Sequence, residues 1–116
     1  MKEHSEHVVR TADVIGKSVV DKDKENIGKI EEIVLDKVSG QTRYAVLSFG
    51  GFMGMGSDYY AIPWKTLSYS PEEDAFTVNI DKDKLKSASG FDKDNWPDFA
   101  NTSWSTSIDK YYDINY

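Results

Sequence analysis

Two histidines stand near the start of the chain, His4 and His7, beside Glu3 and Glu6. On a helix this spacing sets both imidazoles on one face, where they could share a metal ion. No third ligand lies close by in sequence, so residues 1–10 are expected to form a solvated, flexible segment. A second candidate begins at Asp21, because Asp21, Asp23, Glu25 and Glu32 fall at positions 1, 3, 5 and 12 of a calcium loop. Asn26 takes the place of the turn glycine and Gly28 that of the packing apolar residue, which makes an acidic hairpin turn the plainer reading. The Asp-Lys-Asp tripeptide returns at residues 81–83 and 92–94, as fits aspartates that turn the backbone at element ends. A third candidate is the segment 50–56, where four glycines alternate with Phe52, Met53 and Met55. A phosphate cradle needs a following Lys-Ser/Thr pair and a helix opening on the loop; neither is present, and Asp58 would repel an anion. The glycines instead predict a loop mobile in the free chain, with Phe52, Met53 and Met55 available to a partner.

These residues do not assemble a catalytic set. Hydrolysis or metal chemistry wants a poised histidine or a carboxylate pair in a cleft, whereas both histidines lie in the first seven residues and the carboxylates gather at turns. The expectation is no catalytic residue, no cofactor and no metal site. Zero cysteines remove disulfides, thiolate metal sites and a cysteine nucleophile. Twenty Asp and Glu against fourteen Lys and Arg give a net charge of −6, which repels a phosphate backbone. Tyr44, Tyr59 and Tyr60 could stack on bases, but no basic groove accompanies them, so nucleic acid is not the expected partner. No apolar run approaches the ~20 residues of a membrane helix, and residues 1–16 lack the apolar core of a signal peptide. A cytoplasmic protein without membrane insertion is expected.

The elements that would carry these residues are mostly strands. Thr11 can cap one helical turn through Ile15, stopped by Gly16, and residues 17–20 read as a first strand. Ile27, Ile30, Val34 and Val38 have near-helical spacing, yet the stretch is rich in β-branched residues and runs into a Ser39-Gly40 turn. It is therefore read as a long strand, residues 27–37, with a bulge near Glu31 and Glu32. Residues 42–49 are apolar on both faces, Tyr44 and Val46 on one, Ala45, Leu47 and Phe49 on the other, as in a strand covered on two sides. Residues 59–62 form the next strand, ended by Pro63, and Trp64 is expected to be buried as a plug at one end of a barrel. Residues 75–80 alternate as a further strand, and Asp81 caps a short helix over 82–86. Five or six short strands between Gly, Pro and Asp turns predict an all-β barrel. Beyond a linker at 87–90, residues 91–116 hold seven of the fifteen aromatics: Phe91, Trp96, Phe99, Trp104, Tyr111, Tyr112 and Tyr116. With five aspartates against two lysines, a tail this acidic and aromatic must dock on something.

The run 13–17 (DVIGK), residues 27–30 (IGKI), 36–40, 44–49, the glycine loop, Ile62-Pro63-Trp64 with Leu67, and Lys84-Leu85 together resemble the PRC-barrel family. The resemblance covers residues 11–85, giving a barrel domain over 11–86 and an aromatic extension over 87–116. It implies a small β-barrel of the kind found in the cytoplasmic part of the photosynthetic reaction centre H subunit and in the ribosome maturation factor RimM. Gly16, Gly28, Gly40, Pro63 and Trp64 are then its structural positions. It also implies a non-catalytic binding or assembly module, often a homodimer when it stands alone. Trp96, Phe99 and Trp104 join the loop residues as candidate partner contacts. Two alternatives stand beside it: a small enzyme or metal-binding protein, and an RNA- or ribosome-associated factor. The tail is expected either to pack across a two-fold interface or to fold back on its own barrel.

Overall fold

In the computed structural model, residues 8–48, 59–80 and 82–114 are described. The chain enters through a single helical turn, α1 (Thr11–Val14). Thr11 does not cap it: Arg10 holds the cap position without a side-chain bond, and its carbonyl accepts from the Asp13 N–H at 2.9 Å. Gly16, at φ +95°, then turns the backbone so that its N–H reaches the Ile30 carbonyl at 2.7 Å. A Cβ there would meet nothing within 4 Å, so the position needs glycine for its dihedral and not for space.

Strand β1 (Ser18–Val20) leads through a tight turn into β2 (Asn26–Leu35). The turn is built by Asp21, only 3% exposed, whose Oδ1 accepts the N–H groups of Asp23 and Glu25 at 2.9 Å each. Such a carboxylate replaces missing backbone partners in a reversing chain. The ladder slips twice along β2, between Ile30 and Glu32 and between Val34 and Leu35, and its pairing with β1 skips Ile27. Each extra residue offsets the period-two alternation, which is why apolar residues three apart, Ile27 and Ile30, are both buried. Gly28, at φ +145°, lies opposite Val19 at this irregularity.

Asp36 builds the next turn, accepting from Val38 and Ser39 N–H at 2.8 and 3.1 Å, and Gly40 at φ +81° closes it. These two donors hold the Asp36 carboxyl below its ordinary range. Strand β3 (Thr42–Ser48) pairs with β2 and with β4 (Tyr59–Pro63). A 3₁₀ turn, Trp64–Thr66, swings the chain into β5 (Leu67–Ser70), which pairs with β6 (Ala75–Val78). The sheet order is β4-β3-β2-β1-β6-β5, antiparallel except for the β1–β6 pair. Pro63 is tolerated because β4 is an edge.

This is a mostly β fold, a six-stranded sheet curled into an open half-barrel. Its inner face is filled by Val19, Ile30, Leu47, Ile62 and Val78, with Leu85 of α2 (Lys82–Lys86) added from beyond the sheet. Trp64 differs from its expectation. The interior is already occupied by these aliphatic side chains, and the 3₁₀ turn carries Trp64 to the rim, half-buried, with its ring 5.7 Å from that of Phe76.

Candidate functional site

The outer face of β3 is where the tail docks. Ala45 and Leu47 point into the core, and by strand alternation Tyr44 and Val46 point out, yet all four are 2% exposed or less. The cover over Tyr44 is an irregular segment followed by α3 (Thr102–Tyr111). Asn101 starts this helix, its Oδ1 accepting the Trp104 N–H at 3.1 Å. From there Trp104, Ile108 and Tyr112 recur every fourth residue and form one face, with Ile108 and Tyr112 buried. The sequence does not announce this helix, because Ser and Thr, weak helix formers, fill half of its positions. The four-residue spacing after an Asn cap was the signal that could have found it.

Six rings form a continuous seam between sheet and tail. Trp104 meets Tyr44 edge-on at 5.1 Å and Phe99 at 5.1 Å. Phe99 leads to Phe91 at 6.4 Å, Phe91 to Trp96 at 5.0 Å, and Trp96 to Tyr59 at 5.5 Å. The backbone is stitched at the same place, since Tyr59 and Phe91 exchange two N–H to carbonyl bonds of 2.9 Å. Trp96 remains 41% exposed, held in place by its indole N–H donating to the Lys93 carbonyl at 2.9 Å. Asp92 fixes the turn beneath it by accepting from the Asp94 N–H. Beside Tyr44 and Phe99 opens a groove of about 550 Å³, walled also by Val34, Leu35, Val38 and Arg43, with Val38 at 92% exposure.

The tail's far end ties to α2. Tyr111 donates its hydroxyl to the Lys84 carbonyl at 2.6 Å, and the Lys84 ammonium lies 5.1 Å from the Tyr111 ring. Burial pushes the Tyr112 phenol well above its ordinary value. Burial likewise raises the Asp109 carboxyl, opposed by the Tyr44 hydroxyl that donates to it at 3.4 Å.

Of the candidate contacts, Trp96 is exposed while Phe99 and Trp104 are half-buried against the chain's own Tyr44. Phe52, Met53 and Met55, like His4 and His7, lie outside the described residues, as does the cap residue Asp81. Asp21 and Glu32 do not converge as calcium ligands: the first is enclosed in its turn and the second lies within β2. Among the described residues no three His, Asp or Glu side chains gather to hold a metal. Nor is any helix among them long and apolar enough to cross a membrane.

An open, curled antiparallel sheet with one parallel join and a docked tail defines a small β-barrel module. The PRC-barrel domain matches residues 6–85, well over half of the chain, which therefore belongs to the PRC-barrel family. That family is in general a non-catalytic interaction and assembly module. No curated protein matches the chain at a significant level.

Proposed function

We propose that this chain is a non-catalytic protein-binding and assembly module of the cytoplasm that also associates with itself. One observation carries the reading: Trp96 stands 41% exposed within a packed aromatic seam, locked by its bond to the Lys93 carbonyl and by contacts with Tyr59 and Phe91. A large ring held rigid before any partner arrives loses little entropy on binding, and tryptophan is enriched among residues that dominate interface energies. The groove beside Phe99, rimmed by Leu35 and Val38, extends apolar surface from the same seam. The tail's rings are housed on the chain's own sheet, so self-association draws its support from the other edge of that sheet.

The test compares the tagged full chain with Trp96→Ala in native extract by quantitative mass spectrometry. A partner bound through the seam should fall about tenfold or more in the variant, the size of a hot-spot loss. Trp96→Ala should fold normally, as its unchanged far-ultraviolet spectrum would show. Equal recovery of every specific partner by both proteins would refute the assignment of Trp96.

A further inference from the structure

The half-barrel has two edges, and the chain treats them differently. At β4 the outer edge is bridged by Phe91 and flanked by α3. At β5 one side pairs with β6, and among the described residues no strand or bridge takes the other. Ser68 and Tyr69 are exposed there, Tyr69 at 46%. An edge strand left open is normally blunted by a lysine, a proline or a bulge. Leu67–Ser70 contains neither residue, and its ladder with β6 runs without a register shift. The edge is also stiffened from behind: the Tyr69 hydroxyl donates to Asp74 Oδ1 at 2.6 Å, and the Lys17 ammonium holds Asp74 Oδ2 at 2.7 Å.

We propose that β5 is the self-association edge, pairing antiparallel with β5 of a second copy across a two-fold axis at Ser68. This rests on the self-association part of the function proposed above and names its surface. Charge selects the occupant. Lys65 lies three residues before Ser68, and Glu72 and Glu73 lie four and five residues after it. Antiparallel pairing centred on Ser68 sets Leu67 opposite Tyr69 and, continued past the strand, Lys65 of each copy opposite Pro71 of the other, whose next residue is Glu72. It also leaves Pro71, which has no N–H to give, at the end of the ladder. A parallel arrangement would set lysine beside lysine and the acidic turns side by side. Only Leu67, Ser68 and Tyr69 of each copy pair within the strand, so the interface belongs with the smaller, weaker class, below ~1,200 Å² of buried surface.

The absence of native cysteine makes the test direct. At the axis, two directly opposed residues have Cα atoms within the range that a disulfide spans. Ser68→Cys should therefore oxidise to a covalent dimer at concentrations where Thr106→Cys, exposed on α3, stays largely monomeric. In sedimentation velocity from low to high micromolar, the full chain should shift toward twice the monomer mass. Lys65→Glu should weaken that dimer by about tenfold, two charge pairs being reversed at once, and adding Glu72→Lys should restore it. If Ser68→Cys crosslinks no faster than Thr106→Cys while the wild type still dimerises, the edge assignment is wrong and self-association stands. A wild type that stays monomeric at high micromolar overturns both.

Discussion

The sheet over residues 18–78 and the tail over residues 91–114 are held in place by different physics. In the sheet, each turn has a local cause, such as Asp21 gathering two N–H groups or Gly40 accepting a positive φ, and the strands follow from β-branched residues between turns. In the tail, local preference points the other way. A ten-residue helix of which half is Ser and Thr would not persist alone in water. It forms because Trp104, Ile108 and Tyr112 find Tyr44 and the core beneath them. The contrast shows a sheet that supplies the template and a tail that becomes ordered by docking.

The largest expected effect tests whether the two regions form one cooperative unit. Ile62→Ala, inside the sheet, should cost about 2–5 kcal/mol, and Ile108→Ala in the tail about 2–4 kcal/mol. Both should appear in urea as one transition with an earlier midpoint. An Ile108→Ala protein whose sheet signal melts at the wild-type midpoint would mean that the tail is a separate, weakly held layer. A smaller effect is expected at the rim. Trp64→Ala should cost about 2 kcal/mol, less than the ~3–5 kcal/mol of a fully buried aromatic, because the side chain is only partly buried against the core. A loss at the upper value would place Trp64 in the interior after all.

The smallest effect is one of sign. Asp74 in the sheet lies below its ordinary 3.8, held there first by the Lys17 ammonium and then by the Tyr69 hydroxyl. Its contribution to stability is present above that value and is lost as pH falls through the lower, folded-state pKa. Asp109 in the tail lies above 3.8 because of burial. The folded chain grips that proton more tightly than the unfolded one, so its contribution is full below 3.8 and is lost as pH rises through the folded-state pKa. Asp74→Asn should therefore lower the urea midpoint at neutral pH, with the difference closing in acid. Asp109→Asn should leave it unchanged or slightly higher. Matching shifts in both variants would remove this distinction between sheet and tail.

What could be read from sequence follows the same division. The hairpin aspartates, the two-sided burial of Tyr44–Leu47 and the strand ended by Pro63 were visible because each depends on near neighbours in the chain. The bulged β2 was readable only in part, since its slips imitate helical spacing. Strand β5 went unnamed, because four residues alternating Ser with Leu or Tyr carry little hydrophobic signal beside the Trp64–Thr66 turn. Trp64 lies less deep than the sequence suggests, since sequence shows a large ring after a strand but not that Leu47 and Ile62 already fill the space. At the candidate site, the aromatic content of the tail was plain, whereas the choice of Trp96 as the exposed ring depends on Tyr59 and Phe91, which lie 32 residues apart (91 − 59) and meet only in the fold.

The parallel join of β1 to β6 has a consequence in time. Val19 pairs with Phe76, 57 positions further along the chain, whereas β2, β3 and β4 can add in order, each onto the strand before it, as they leave the ribosome. Closing so long a loop carries an entropy cost that no single contact offsets, so β5 and β6 join late and as a unit. Until they do, the nascent chain displays β1 as a raw edge with Val19 uncovered. The interval before residue 78 is synthesised is thus when this protein is most exposed to pairing with a wrong neighbour.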